Sequence, residues 1–127
     1  MEGLCVLAIE CDWRIRKLIR ANLEAVGLEV QEAVSGSHGL ELLREHRPDL
    51  ILLDFDSPAI DALHLLGVFH AQFRDEPVPI VAMCADLPDR HVLQDGQLAS
   101  CLQKPFSATV LLQHVTQALD SPIPRGQ

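Results

Sequence analysis

Two spacings of apolar residues take turns along this chain. Short runs rich in apolar residues, Leu4 to Ile9, Val30 to Val34, Leu50 to Asp54 and Val78 to Cys84, predict strands, most of them apolar enough to be buried on both faces as in a parallel sheet under helices. Between them apolar residues recur at helical spacing. Ile15, Leu18, Ile19, Leu23 and Val26 form one stripe, with Arg14, Lys17 and Arg20 largely outside it, and Gly27 is placed to close that helix. Ser35-Gly36-Ser37 turns the chain into a second stripe, Leu40, Leu42 and Leu43, which Pro48 ends. After the loop signal Ser57-Pro58, a helix is predicted from about Asp61 to Phe73, with Leu63, Leu66, Val68 and Phe69 as core candidates. Asp86 then caps a short, weak helix with Pro88 in its first turn and a mobile end at Gln94-Asp95-Gly96-Gln97. Ser100 to Gln103 makes a fifth strand of poor composition, and Ser107 caps a last helix bearing Val110, Leu111, Leu112, Val115 and Leu119.

Five such alternations with short links predict an α/β fold: a (βα)5 doubly wound parallel five-stranded sheet, its crossovers right-handed and its helices on both faces. In the flavodoxin-like strand order 2-1-3-4-5, the carboxyl ends of strands one, three, four and five converge on one crevice, where open α/β sheets hold their ligands. Glu10, Asp54, Cys84 and Lys104 would all face it.

Composition narrows the classes. A length of 127 residues with 48% hydrophobic content fits one domain, residues 1–119, with the Pro- and Gly-containing stretch 120–127 as a tail or linker. A formal charge of -8 argues against direct binding to nucleic acid or to an anionic membrane surface. No apolar run approaches the roughly 20 residues of a spanning helix. The cysteines at 5, 11, 84 and 101 include no C-x-x-C pair, and Leu4 to Ile9 is too short for the apolar core of a secretory leader, so a cytoplasmic setting is expected. Cysteine as a small buried hydrophobe, and the six scattered histidines as surface or helix-edge residues, outweigh metal-site readings. Arg14, Arg16, Lys17 and Arg20 read as a solvated helix face, and Trp13 as a partly exposed residue near the crevice.

Asp54 alone is an ordinary strand-end acid. With Glu10, Asp12 and Lys104 at neighbouring strand ends it gains chemistry, because crowded carboxylates recruit a cation, and a hard divalent ion such as Mg2+ takes oxygen ligands. Given that ion and Lys104, Asp54 could accept a phosphoryl group, a reaction in which positioning and charge neutralisation supply most of the catalysis.

These residues, Arg47-Pro48-Asp49-Leu50-Ile51-Leu52-Leu53-Asp54, then Pro58 and Asp61, then Lys104-Pro105-Phe106, resemble the receiver domains of bacterial two-component response regulators. The resemblance implies that Asp54 is the phosphoacceptor, that Lys104 contacts the phosphoryl group, and that Asp56 lends its backbone carbonyl to Mg2+ beside Glu10 and Asp54. It also implies a cis Lys104-Pro105 bond that aims the lysine inward, and a histidine kinase or phosphotransfer protein as donor. Three positions depart from the family pattern. Cys11 stands where a second acid usually binds the metal directly, so Mg2+ should bind weakly, with Asp12 as a substitute ligand or simply a helix cap. Cys84 replaces the switch serine or threonine, and a thiol is a weak donor to a phosphate oxygen. Cys101 lies near the usual switch aromatic and has no ring to swing.

Two functions of different class follow. One is a phosphoacceptor module, not an enzyme on outside substrates, that controls an effector domain or output protein and could do so as a homodimer. The other is a phosphorylation-independent pseudo-receiver acting as a protein-interaction module. A nucleotide binder is disfavoured, since no Gly-rich phosphate loop follows strand one.

Overall fold

In the computed structural model, residues 2–86 and 98–120 are described. The elements in chain order are β1 (Cys5–Ile9), α1 (Trp13–Glu24), β2 (Glu29–Ala33), α2 (Gly36–Glu45), β3 (Leu50–Asp54), α3 (Ala62–Gln72), β4 (Ile80–Cys84), β5 (Ser100–Gln103) and α4 (Ala108–Asp120). All strand pairs are parallel and the sheet order is β2-β1-β3-β4-β5, as the alternation predicts. The chain steps outward from β1 to β2 and then returns past β1 to β3. That reversal opens a crevice at the carboxyl ends of β1 and β3. The short helix expected after Asp86 lies outside the described residues, as does the tail beyond residue 120.

Strand side chains alternate between two layers. Val6, Ala8, Leu50, Leu52, Val81, Met83 and Leu102 pack under Ile19 and Leu23 of α1 and Leu111 and Val115 of α4. Leu7, Ile9, Ile51, Leu53 and Ala82 pack on the opposite face, under Leu43 of α2 and Leu65, Leu66 and Phe69 of α3. Each such aliphatic side chain contributes roughly 1.5–3 kcal/mol by leaving water. The helix ends follow the sequence signals. Asp12, Ser35, Asp61 and Ser107 each accept a hydrogen bond from a first-turn N–H, those of Arg14, His38, His64 and Val110. Gly27, at φ +91°, closes α1: Leu28 N–H donates to Leu23 O and Gly27 N–H to Glu24 O, the paired bonds of a left-handed glycine stop.

Three expectations need correction. Leu63 is 63% exposed, and Leu65 occupies the core instead, because α3 is apolar on nearly every side and its spacing gives little contrast; Val68 is half-buried. Val26, Val34 and Val110 are exposed, the first two just beyond the ends of α1 and β2. The basic cluster on α1 is not simply solvated, since Arg16 and Arg20 both pair with Glu32 of β2.

Cys5 and Cys84 are buried, Cys101 is half-buried and Cys11 is exposed; all four are free thiols. Burial pushes the Cys5 thiol up, with Glu29 and Asp49 adding to it. Burial also raises Cys84, and burial with the neighbouring Cys84 thiol raises Cys101 to about 12.

The glycines supply a paired stability test. A Cβ on Gly39 of α2 would lie 2.8 Å from Cδ1 of the buried Ile9, whereas one on Gly67 of α3 meets nothing. Gly67→Ala is expected to raise stability in urea titrations by about 0.5–1 kcal/mol. Gly39→Ala is expected to lower it by about 1–3 kcal/mol despite the same helix preference. A second test concerns alkali. A thiol whose pKa is raised by folding keeps its proton while the unfolded chain loses it. Stability is therefore full below the ordinary value of 9.0 and falls as pH climbs toward about 12. Cys101→Ala is expected to flatten that alkaline decline, by up to roughly 1.4 kcal/mol per pH unit, in denaturation curves measured above about pH 9.

Candidate functional site

Strand register brings the charged groups together. Ala8 pairs with Leu52, so two residues further on Glu10 and Asp54 come level at the sheet's carboxyl end. Asp54 is level with Met83, and Met83 with Leu102, which puts Lys104 two residues past that line. By alternation all three belong to the face that carries Val6, Ala8, Leu50, Leu52 and Leu102. Backbone bonds extend the ladder beyond the strands and fix this edge, with Glu10 N–H on Ala33 O at 3.0 Å and Lys104 N–H on Cys84 O at 2.8 Å. The Lys104-Pro105 bond is cis.

Glu10 and Asp54 are the buried charged residues among those described. Lys104 Nζ donates to Asp54 Oδ1 at 3.0 Å, lies 2.9 Å from Glu10 Oε1, and approaches Asp56 Oδ2 at 3.6 Å. Asp54 Oδ1 also accepts from Asp56 N–H at 2.9 Å. Burial alone would raise the Asp54 carboxyl, but the Asp56 N–H, the Glu10 carboxyl and the Lys104 ammonium together hold it below the usual carboxylate range. Glu10 moves the other way: its burial, reinforced by the Asp54 charge, outweighs the help of Lys104 and raises it. The two acids are thus shifted in opposite directions, Asp54 toward its ionised form and Glu10 toward its protonated form. Burial disfavours a charged Lys104, yet the two acids more than offset it and raise its pKa, so the amine stays an ammonium ion.

Cys11 and Asp12 complete the first loop. Cys11 Sγ points at Asp54 Oδ2 across 3.7 Å, and ligand atoms of Glu10, Cys11 and Asp54 all lie within 4.8 Å of one another. Asp12 is spent elsewhere: its Oδ1 caps α1 and pairs with Arg14, while its N–H donates to Glu10 Oε2 at 3.1 Å. The acids of this pocket offer a hard cation oxygen ligands from Glu10 and Asp54, but the atom aimed between them from the first loop is sulfur, a poor partner for Mg2+. The fit to Mg2+ is therefore partial. Asp56 takes a further role that sequence reasoning missed, since its Oδ2 accepts from Ala85 N–H at 2.8 Å and ties the loop after β3 to the end of β4. Arg16 was missed as well. Its Nη1 donates to the carbonyls of Glu10 and Cys11, at 2.8 and 2.9 Å, while its Nε pairs with Glu32. An arginine one turn inside a helix that follows an acidic loop is the signal that could have found it.

Cys84 sits at the end of β4, 2% exposed, on the layer of Ile80 and Ala82. Register puts Cys101 opposite Ala82 and Cys84 opposite Gln103, so the two cysteines lie on the same layer of neighbouring strands, two positions apart. Trp13, 62% exposed, opens α1 immediately after the acidic loop.

Residues 6–116 match the family model for the response regulator receiver domain. The transcriptional regulatory protein PrrA of Mycobacterium tuberculosis is 29% identical over 114 residues, covering 90% of this chain and 49% of that protein. The DNA-binding dual master transcriptional regulator RpaA of Synechocystis is 31% identical over 116 residues, covering 90% of this chain and 48% of that one. This chain thus spans about half the length of these two relatives. The polar-differentiation response regulator DivK of Brucella anthropi is 28% identical over 116 residues, covering 90% of this chain and 94% of its own. In fold, the Vibrio cholerae chemotaxis protein CheY4 matches with a TM-score of 0.82 at 24% identity, over 91% of this chain and 98% of that one. The chain belongs to the response regulator receiver domain family.

Proposed function

We propose that this domain accepts a phosphoryl group on Asp54 from a histidine kinase or phosphotransfer protein and thereby controls an attached effector or an output protein, in the cytoplasm. The observation that carries the proposal is an ionised, buried Asp54 hydrogen-bonded to Lys104 at the sheet's carboxyl edge. A carboxylate oxygen of Asp54 attacks the phosphorus of a phosphohistidine. The new O–P bond forms as the P–N bond breaks, and the imidazole departs with a proton from solvent. Lys104 moves from carboxylate to phosphoryl oxygen as charge develops there, and Asp56 N–H keeps hold of the same Oδ1, leaving Oδ2 to attack. Glu10, Asp54 and the backbone carbonyl of Asp56 would hold Mg2+, which would supply charge neutralisation at the phosphoryl oxygens. Cys11 makes that binding weak. Relay from the pocket runs through Cys84 and is weakened by a thiol in place of a hydroxyl.

A phosphorylation-independent interaction module is favoured by one specific observation, a thiol at Cys84, 2% exposed at the end of β4, where the family carries a hydroxyl.

Incubation with a small acyl phosphate and excess Mg2+ is expected to add one phosphoryl mass to the intact protein, and Asp54→Asn to abolish the addition. An unmodified wild type under those conditions would favour the interaction module. Lys104→Met tests the ammonium. It removes the cation facing two buried acids and is expected to lower stability by roughly 3 kcal/mol at neutral pH. The deficit should shrink toward about pH 5, because acids without that partner take up protons, and stability they lack above their raised pKa returns below it. Urea denaturation at the two pH values reads both effects, and phosphoryl uptake should fall with it.

A further inference from the structure

We infer that the Glu10–Cys11–Asp54 pocket is a site for a thiophilic divalent cation of the Zn2+ class, with Cys11 as a direct ligand, rather than a site tuned to Mg2+. The inference deepens the receiver reading, on whose identification of this pocket as the cation site it rests. Three observations support it. First, the separation of Cys11 Sγ and Asp54 Oδ2 is 3.7 Å. Two ligands of a tetrahedral zinc ion, at about 2.3 Å for sulfur and about 2.0 Å for oxygen, stand roughly 3.5 Å apart, so a small adjustment seats an ion between them. Second, a carboxylate oxygen of Glu10 completes the group within 4.8 Å. Glu10 is fully buried, and its Oε1 accepts no aligned hydrogen bond, having Lys104 Nζ near it only as an ion-pair neighbour at 2.9 Å. Third, Cys11 is exposed whereas the other thiols are buried or half-buried, and a cation reaches it from solvent without opening the core. Sulfur, unlike oxygen, favours borderline and soft ions over Mg2+. On binding, the Cys11 sulfur gives its proton to solvent and coordinates as thiolate.

The test uses the full chain stripped of metal. Cd2+ is titrated while the ultraviolet charge-transfer band of a cadmium–thiolate bond is read, Zn2+ is measured by competition with a coloured chelator, and Mg2+ by the fluorescence of Trp13. One equivalent of Cd2+ is expected to raise the band, Zn2+ to displace it, and Zn2+ to bind at least about 100-fold more tightly than Mg2+. Cys11→Ser should remove the band and weaken Zn2+ at least about tenfold, while Cys11→Asp should lose the band and gain Mg2+ affinity. Circular dichroism of both variants confirms that they fold. An undiminished band in Cys11→Ser overturns the inference, as does a band that disappears with Cys84→Ser instead, which would place the ion on the Cys84–Cys101 pair. Equal affinity of the wild type for Zn2+ and Mg2+ overturns it too. Phosphoryl uptake is scored separately. A Cys11-dependent band without uptake in wild type or Cys11→Asp leaves the cation site standing and removes the phosphoacceptor reading; Mg2+-dependent uptake without such a band does the reverse.

Discussion

One ammonium group faces two carboxyls that the sheet has removed from water. Lys104 stands within 3.0 Å of both Glu10 and Asp54, and the remaining acid of the pocket, Asp56, lies further out and more exposed. Burying a charge without a partner costs several kcal/mol even after relaxation, so the order of β1, β3 and β5 in the sheet and the presence of a cation on the loop after β5 depend on each other. The same balance divides the two acids chemically. The carboxyl nearer to hydrogen-bond donors is pulled below the usual carboxylate range, and the one dominated by desolvation is pushed above it. Two carboxyls shifted in opposite directions thus arise from position, with no difference in residue class.

Much of the fold is visible in the chain because the apolar runs are short and separated by strong stops. Leu50 to Leu53 has no polar residue to make one face wet, which points to a strand covered on both sides; Gly27 and the capping residues mark helix ends through local chemistry that needs no tertiary context. What sequence spacing could not settle is orientation where contrast is missing. Along α3 apolar residues surround the axis, and only packing on β3 and β4 decides that Leu65 turns inward and Leu63 outward. Likewise Arg16 and Arg20 sit on the polar side of α1 by periodicity, but the carboxylate that claims them, Glu32, comes from a strand whose neighbourhood is fixed only after folding.

The pocket was legible to the extent that strand ends are legible. Asp54 and Glu10 close apolar runs and Lys104 precedes a proline, so their meeting follows from strand order; the same logic shows why Cys11 departs from the family in chemistry while leaving the fold intact, since it occupies a loop that carries none of the core. The contacts made by main-chain carbonyls and amides were not legible. Asp56 on Ala85 N–H and Arg16 on two loop carbonyls join groups whose separation in sequence says nothing of their distance.

The grip of Arg16 has a consequence for ligand affinity. Because one guanidinium fixes both carbonyls of the Glu10–Cys11 segment and is itself anchored to β2 through Glu32, the segment is preorganised by folding. An incoming ligand therefore spends little of its interaction energy on ordering backbone.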